Sequence, residues 1–291
     1  MTREVIAIDL GATNLRVGIV DENLNIIKVL REKTTKYDSD LLYDQIKRML
    51  KEVTKGKTNL KYVGVSACGL TSYNKIDFLP NLKISDFDLA KLIETDFPNY
   101  KVKIANDATC SGYMESLRGC AKDDKTSFFI TISSGIGCGL VVNHELIDLP
   151  FECGHNYIGY NNRYYEFEQI ASGNGLVFLS KINGLEVSGG VDFFQLVRNK
   201  DIKALAIYDT WIQIVSSFIA NVQLNYNPDC IILSGGVMKS RDLFDEDIES
   251  VANAFIAPYP VKKIQIKYAL FDQDAGLMGA TSLALGLLEK E

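Results

Sequence analysis

Histidine is nearly absent from this sequence. Only His144 and His155 occur, so any chemistry that needs an imidazole rests on one of two residues. None of the six cysteines, Cys68, Cys110, Cys120, Cys138, Cys153 and Cys230, forms a Cys-x-x-Cys pair. A chain of 291 residues can build a core without cross-links, so a reduced cytoplasmic protein is the simplest expectation. No basic stripe is present: the net charge is -6 and the two signs are intermixed, which argues against nucleic acid as the main partner. No segment approaches the roughly 20 apolar residues of a membrane span, so no membrane partner is expected. Asp9 interrupts the first apolar run, where a signal peptide would have its core. No linker rich in Pro, Ser or Gly divides the chain.

What is present suits two soluble α/β domains: 47% of residues are apolar and 23% charged. The first apolar run, Val5 to Ile8, predicts a buried strand, and Leu15–Val20 and Ile26–Leu30 complete a meander. Leu42, Ile46, Met49, Leu50 and Val53 recur at helical spacing. Strands are predicted at Tyr62–Ser66 and Val102–Ala105, with a weaker helix at Phe87–Thr95, giving the order βββαβαβα. The strand–glycine turn–strand unit then recurs at Ser127–Val142, with a tight turn at Asn143-His144, which predicts a duplicated fold. A polar, Tyr/Asn-rich stretch fills Phe151–Gly175. A long helix is expected at Lys203–Asn225, strands at Cys230–Leu233 and Ile264–Tyr268, and a closing helix from Ala275. The boundary falls near Arg118–Lys122. This divides the chain into an N-terminal domain, 1–118, and a larger C-terminal domain, 119–291, with the helix at about 275–291 expected to pack back on the first.

Asn106-Asp107-Ala108 joins a predicted strand to a predicted helix. Residue type alone makes it an N-cap. Its place between two glycine-rich strand turns gives it a second reading, because a carboxylate there can deprotonate a hydroxyl that attacks a phosphoryl group. In the first turn, Asp9-x-Gly11-x-Thr13-Asn14, glycine permits close approach of a phosphate. The turn's N–H groups and the Thr13 hydroxyl can donate to it, and Asp9 can order Mg²⁺ through water. The second turn is Ser133-Ser134-Gly135-x-Gly137-x-Gly139. Each turn alone also fits an ordinary hairpin. Ser234-Gly235-Gly236 ends a buried strand, where the glycines permit either a flat ligand such as adenine or a tight turn. Glu152, His155 and Glu168, in the polar stretch, can accept hydrogen bonds from sugar hydroxyls or stay as solvated surface groups.

As an ordered set these motifs resemble the ROK family of sugar kinases, within the actin/hexokinase/Hsp70 ATPase fold. The likeness runs through Ala7–Arg16, Pro80-Asn81-Leu82, Asn106–Ala108 with Glu115, Thr131–Gly139, Glu152-x-Gly154-His155, Glu168-x-x-Ala171-Ser172-Gly173 and Leu233–Gly236. It implies a two-domain, ribonuclease H-like α/β fold and ATP-dependent phosphorylation of a hexose, usually at the 6-hydroxyl, with Asp107 as general base. It places Gly69, Asn81, Asn106, Glu152, His155 and Glu168 at the sugar. It places Gly11, Thr13, Asn14, Ser134 and Gly135 at the phosphates, and Gly235 and Gly236 at the adenosine. ATP and Mg²⁺ are the implied cofactors, and a homodimer the implied assembly, with the Trp211 helix a candidate surface for it.

One departure stands out. Family members usually carry a cysteine-rich zinc loop between the histidine and the second glutamate, whereas residues 156–167 here contain no cysteine. No structural zinc is therefore expected. Tyr157, Tyr160, Tyr164, Tyr165 and Phe167 are expected to hold the loop and His155 instead. Three alternatives to a glucose-type kinase stay open. One is an N-acetylhexosamine kinase. Another is a sugar-responsive regulator, though the first strand starting by Glu4 leaves no room for the helix-turn-helix domain such regulators carry. The third is an actin-like ATPase, which would turn over ATP without sugar.

Overall fold

The protein is described by a computed structural model covering residues 2–271 and 275–290. Glu291, the last residue of the expected closing helix, lies outside the described residues. Two compact units make up the chain. One comprises Met1–Gly119, Glu145–Pro150 and Gln273–Glu291; the other comprises Cys120–His144 and Phe151–Asp272.

The first unit begins β1 (Glu4–Leu10), β2 (Asn14–Asp21), β3 (Ile26–Lys33), α1 (Ser39–Val53) and β4 (Tyr62–Ala67). It continues β5 (Leu70–Ser72), β6 (Lys75–Leu79), β7 (Ile84–Phe87), α2 (Leu89–Asp96), β8 (Lys101–Asn106) and α3 (Asp107–Arg118). Its main sheet has the order β3-β2-β1-β4-β8, with β1, β4 and β8 parallel. Apolar side chains occupy both faces of the central strands, as a covered sheet requires. Ile6, Ile8, Val63 and Val65 join the core formed with α1 and α2, while Val5 and Tyr62 pack against Ala284 and Leu285. The sequence reading missed the separate β5-β6-β7 sheet. Its first hairpin closes on Tyr73 and Asn74, both at positive φ, a two-residue turn without the glycine that usually marks one.

The second unit opens with β9 (Thr126–Ile132) and β10 (Ile136–Val142); β11 (Glu145–Leu146) falls within the first unit. A 3-10 turn, Cys153–His155, leads into β12 (Tyr157–Tyr160) and β13 (Arg163–Glu166). Helices α4 (Phe167–Ala171), α5 (Gly173–Ile182), α6 (Gly190–Arg198) and α7 (Ile202–Tyr226) follow. The unit closes with β14 (Cys230–Ser234), a 3-10 stretch (Gly236–Leu243), α8 (Asp245–Ile256) and β15 (Ile266–Tyr268). Its strands β10-β9-β14-β15 repeat the arrangement of β2-β1-β4-β8: one antiparallel pairing, then two parallel ones.

The final helix, α9 (Ala275–Glu289), returns to the first unit. Small residues let it approach closely. A Cβ on Gly64 of β4 would stand 1.8 Å from the Ala280 carbonyl oxygen, and one on Gly279 would stand 2.8 Å from the Cys110 Cβ on α3. Trp211 itself offers no partner surface, although Ile202, Leu205 and Leu224 of the same helix are exposed. Trp211 is fully buried against Phe194 and Phe244, and its indole N–H donates to the Ala171 carbonyl at 2.9 Å. Its apolar face serves the unit's own core.

Candidate functional site

In the first unit, Asn106 caps α3. Its Oδ1 accepts from the Ala108 N–H at 2.9 Å, and its Nδ2 donates to the Gly69 carbonyl at 2.9 Å. Both ends of the side chain are thus engaged, which aligns the helix start with the loop after β4. A side chain at Gly69 is excluded, because a Cβ would stand 2.3 Å from the Phe78 carbonyl oxygen. Asp107 is the first residue of α3 and exposed, with Oδ1 accepting from the Ala108 N–H at 2.8 Å. The N-cap reading therefore holds for Asn106 and leaves Asp107 facing outward at a helix N-terminus, where negative charge is favoured.

The β1–β2 turn is pinned from inside. The Gly11 N–H donates to the Asn14 carbonyl at 3.1 Å, and the Thr34 hydroxyl donates to the Gly11 carbonyl at 2.7 Å. Thr13 stays exposed. Asp9 is half-buried and paired with Arg16, its register partner across the β1–β2 hairpin, at 2.8 Å. It also lies against the first turn of α9, where a Cβ on Gly276 would meet its Oδ1 at 2.4 Å. Burial pushes the Cys68 thiol up to about 12, and the charges of Asp107 and Asp9 push the same way, so one half-buried thiol senses both carboxylates. Asn81 is exposed on the turn between β6 and β7, and no hydrogen bond among the described residues links it to Asn106 or Gly69.

In the second unit, the turn between β9 and β10 carries exposed Ser134. Glu168, from the first turn of α4, reaches it: Oε2 accepts from the Ile136 N–H at 2.7 Å. Gly135 is small for that reason, since a Cβ there would stand 2.5 Å from Glu168 Oε2. The Ala171-Ser172-Gly173 break between α4 and α5 reaches the same turn. The Gly173 N–H donates to the Ser133 carbonyl at 2.6 Å, and Ser172 Oγ accepts from the Gly175 N–H at 3.0 Å. A cavity of about 570 Å³ opens here, lined by Ser134, Glu168, Gln169, Ser172 and Asn174 among others. A cavity of similar volume between α8 and β15 contains none of the expected residues.

Glu152 precedes the 3-10 turn that ends in His155, and Gly154 lets this turn sit on β10, its missing Cβ 2.8 Å from the Ile136 carbonyl oxygen. Glu152, His155 and Glu168 are thereby grouped around one glycine turn. His155 Nδ1 lies 2.8 Å from Glu166 Oε2 and Nε2 lies 3.7 Å from Glu152 Oε2. The imidazole pKa is raised, chiefly by the Glu166 hydrogen bond and, against partial burial, by the charges of Glu168, Glu166 and Glu152. Nearby, the Cys138 and Cys153 thiols act on one another, which lowers the Cys153 pKa and, with burial, raises that of Cys138.

The cysteine-free loop is ordered in part as expected. Phe167 is buried against Phe218, Tyr165 packs edge-on to Phe178, and the Tyr160 hydroxyl donates to Asn183 Oδ1 at 2.9 Å. Tyr157 and Tyr164, 68% and 81% exposed, do not pack, which corrects their assigned part. The β12–β13 ladder and its Asn161-Asn162 turn, both residues at positive φ, hold that segment instead. Gly235, at φ 98, ends β14 with no room for a Cβ, which would stand 2.4 Å from the Ile132 carbonyl oxygen. A Cβ on Gly236 would meet nothing within 4 Å, so Gly236 borders open space. Glu166 and Arg16 were missed from sequence. Arg16 was legible, because a tight β1–β2 turn sets it opposite Asp9.

The sequence pattern of the ROK family matches residues 5–286. The chain belongs to the ROK family. A curated glucokinase of Aeropyrum pernix is 27% identical over 97% of this chain and 96% of its own length. The xylose repressor of Bacillus spizizenii is 25% identical over 96% of this chain and 76% of its own. A ROK glucokinase of Streptomyces griseus, solved with glucose and AMPPNP, superposes with a TM-score of 0.73 at 22% identity, covering 98% of this chain and all of that one. The fold is accordingly that of ROK sugar kinases, within the actin-like ATPase superfamily, and the family holds kinases and repressors alike.

Proposed function

We propose that this ROK protein is an ATP-dependent hexose kinase. The observation that carries the proposal is the 2.7 Å bond from the Ile136 N–H to Glu168. It makes one structure of a carboxylate suited to sugar hydroxyls and a glycine turn suited to phosphate. A sugar-sensing regulator needs the first and has no use for the second.

Asp107, exposed at the start of α3, accepts the proton of the attacking hydroxyl, while Asn106 and Gly69 border the sugar. Glu152, His155 and Glu168 accept hydrogen bonds from the other hydroxyls, with Asn81 contributing from its turn. The backbone of Gly11, Asn14, Ser134 and Gly135, with the Thr13 hydroxyl, lines the phosphates, and Gly235 and Gly236 line the adenosine. Asp9, fixed by Arg16, is the carboxylate offered to magnesium. That fits an ion that takes one or two carboxylates and completes its shell with water and phosphate oxygens. Bound ATP with Mg²⁺ supplies the phosphoryl group and neutralises its charge. A homodimer and a cytoplasmic location belong to the same proposal.

The test is ADP release coupled to NADH oxidation across glucose, mannose, fructose, N-acetylglucosamine and N-acetylmannosamine. Turnover that requires one of these sugars supports the kinase reading, and the N-acetyl sugars decide the N-acetylhexosamine alternative. The likeness to xylose repressors favours a second reading, a sugar-binding regulator. Sugar binding by calorimetry without turnover of any sugar would establish that reading. ATP hydrolysis indifferent to sugar would instead point to an actin-like ATPase.

A further inference from the structure

Glu166 occupies a junction. Its Oε2 lies 2.8 Å from His155 Nδ1, and its backbone N–H donates to Gln169 Oε1 at 3.1 Å. It pairs with Tyr157 across the β12–β13 hairpin and is the N-cap of α4, whose second residue is Glu168. One residue thus ties the imidazole to the helix start that presents Glu168.

A carboxylate can only accept, so the bond to Glu166 requires the proton on Nδ1. In the neutral ring, Nε2 then carries the lone pair. Nε2 and Glu152 Oε2 stand 3.7 Å apart, too far for a hydrogen bond to each other. Two acceptors side by side, neither used by the other, match two neighbouring donors on a ligand. The charged groups acting on the ring are the three carboxylates Glu152, Glu166 and Glu168.

We propose that Glu166 is a positioning residue: it fixes His155 in the Nδ1–H tautomer, so that Nε2 and the Glu152 carboxylate together accept hydrogen bonds from adjacent donors of the sugar, two hydroxyls or a hydroxyl and an amide N–H. The substrate half rests on the hexose-kinase reading. The loop without cysteines aims its imidazole with a carboxylate from its own hairpin. A pH dependence follows. Protonated His155 turns Nε2 into a donor, and the acceptor is lost as pH falls through the His155 midpoint. Because Glu166 raises that midpoint, the loss begins at a higher pH than for an ordinary histidine.

The chain has only two histidines, so ¹⁵N-histidine labelling gives two ring systems, with His144 as internal reference. In the unaltered protein, above the midpoint, the His155 proton is expected on Nδ1. Glu166→Gln is expected to lower the midpoint, shift the neutral ring toward Nε2–H and move the acid limb of kcat/KM to lower pH. It should also raise the sugar KM about 3- to 10-fold, the loss of one hydrogen bond, with a smaller change in kcat. Glu166→Asp keeps a good N-cap but draws the carboxylate back, so the midpoint should fall there too. Gln169→Ala removes the bond to the Glu166 N–H and should leave tautomer and midpoint unchanged.

A proton on Nε2 in the unaltered neutral ring overturns the proposal. So does a Glu166→Gln midpoint equal to the unaltered one, or a Gln169→Ala variant that reproduces the Glu166→Gln effect. The expected ring spectra with no hexose turned over overturn the substrate half and the kinase reading, and uphold the hold of Glu166 on His155.

Discussion

Gly135→Ala separates function from folding. Gly135 is not at positive φ, so alanine meets no backbone strain there. What the new Cβ meets is the end of a flexible side chain, Glu168 Oε2 at 2.5 Å and Cδ at 3.0 Å. The carboxylate must swing away and gives up its 2.7 Å bond from the Ile136 N–H. A hydrogen bond to a charged group contributes about 1.5–3 kcal/mol. If holding Glu168 in place serves the sugar, kcat/KM should fall about 10- to 150-fold. The core is untouched, so Tm should drop by less than about 5 °C. The assay is the coupled ADP measurement over a range of the preferred hexose, beside a thermal melt. Glu168→Gln should show a loss of the same order, and the double variant should be far from additive, because both changes act on one bond. Additive losses, or a Gly135→Ala enzyme with an unchanged sugar KM, would refute the claim that the glycine turn positions Glu168.

Three further outcomes are expected. Asp107→Asn should lower kcat about 10²- to 10⁴-fold while sugar binding by calorimetry stays near its original affinity; near-original turnover would show that another group takes the proton. Glu152→Gln should weaken one charge-assisted bond to the sugar and raise its KM about tenfold or more, with kcat less affected. Gly64→Ala forces a Cβ to within 1.8 Å of the Ala280 backbone oxygen, where no flexible side chain can give way. It should cost about 3 kcal/mol or more in urea unfolding, and a midpoint equal to that of the unaltered protein would show that α9 does not depend on this contact.

The periodic elements were legible in the sequence. Val5–Ile8, Ser127–Ile132 and Cys230–Leu233 are apolar runs of strand length, and the expected Lys203–Asn225 helix is Ile202–Tyr226 in the structure. The repeated strand–turn–strand unit also disclosed the duplication. Two hairpins escaped, β5–β6 and β12–β13, because their strands are only three to five residues long, too short for a clear alternation. Trp211 misled because periodicity shows an apolar stripe without saying what covers it. Most informative is Gly135. Glycine there was read as room for a phosphate, and on its Cβ side the same glycine also makes room for a carboxylate oxygen of this chain. Sequence marks where a side chain is unwelcome and leaves open what excludes it.

The return of α9 to the first unit has a consequence for how the protein is made. Val5 and Tyr62 are covered by Ala284 and Leu285, residues the ribosome adds only after the whole second unit. Strands β1, β4 and β8 can pair as soon as they emerge, but one face of their sheet stays bare while the whole second unit is translated. During that interval the nascent chain presents an apolar surface to whatever holds unfinished proteins. A chain cut before Ala275 would hold a well-formed second unit joined to a first unit that never closes, and cellular quality control should remove it by that exposed face.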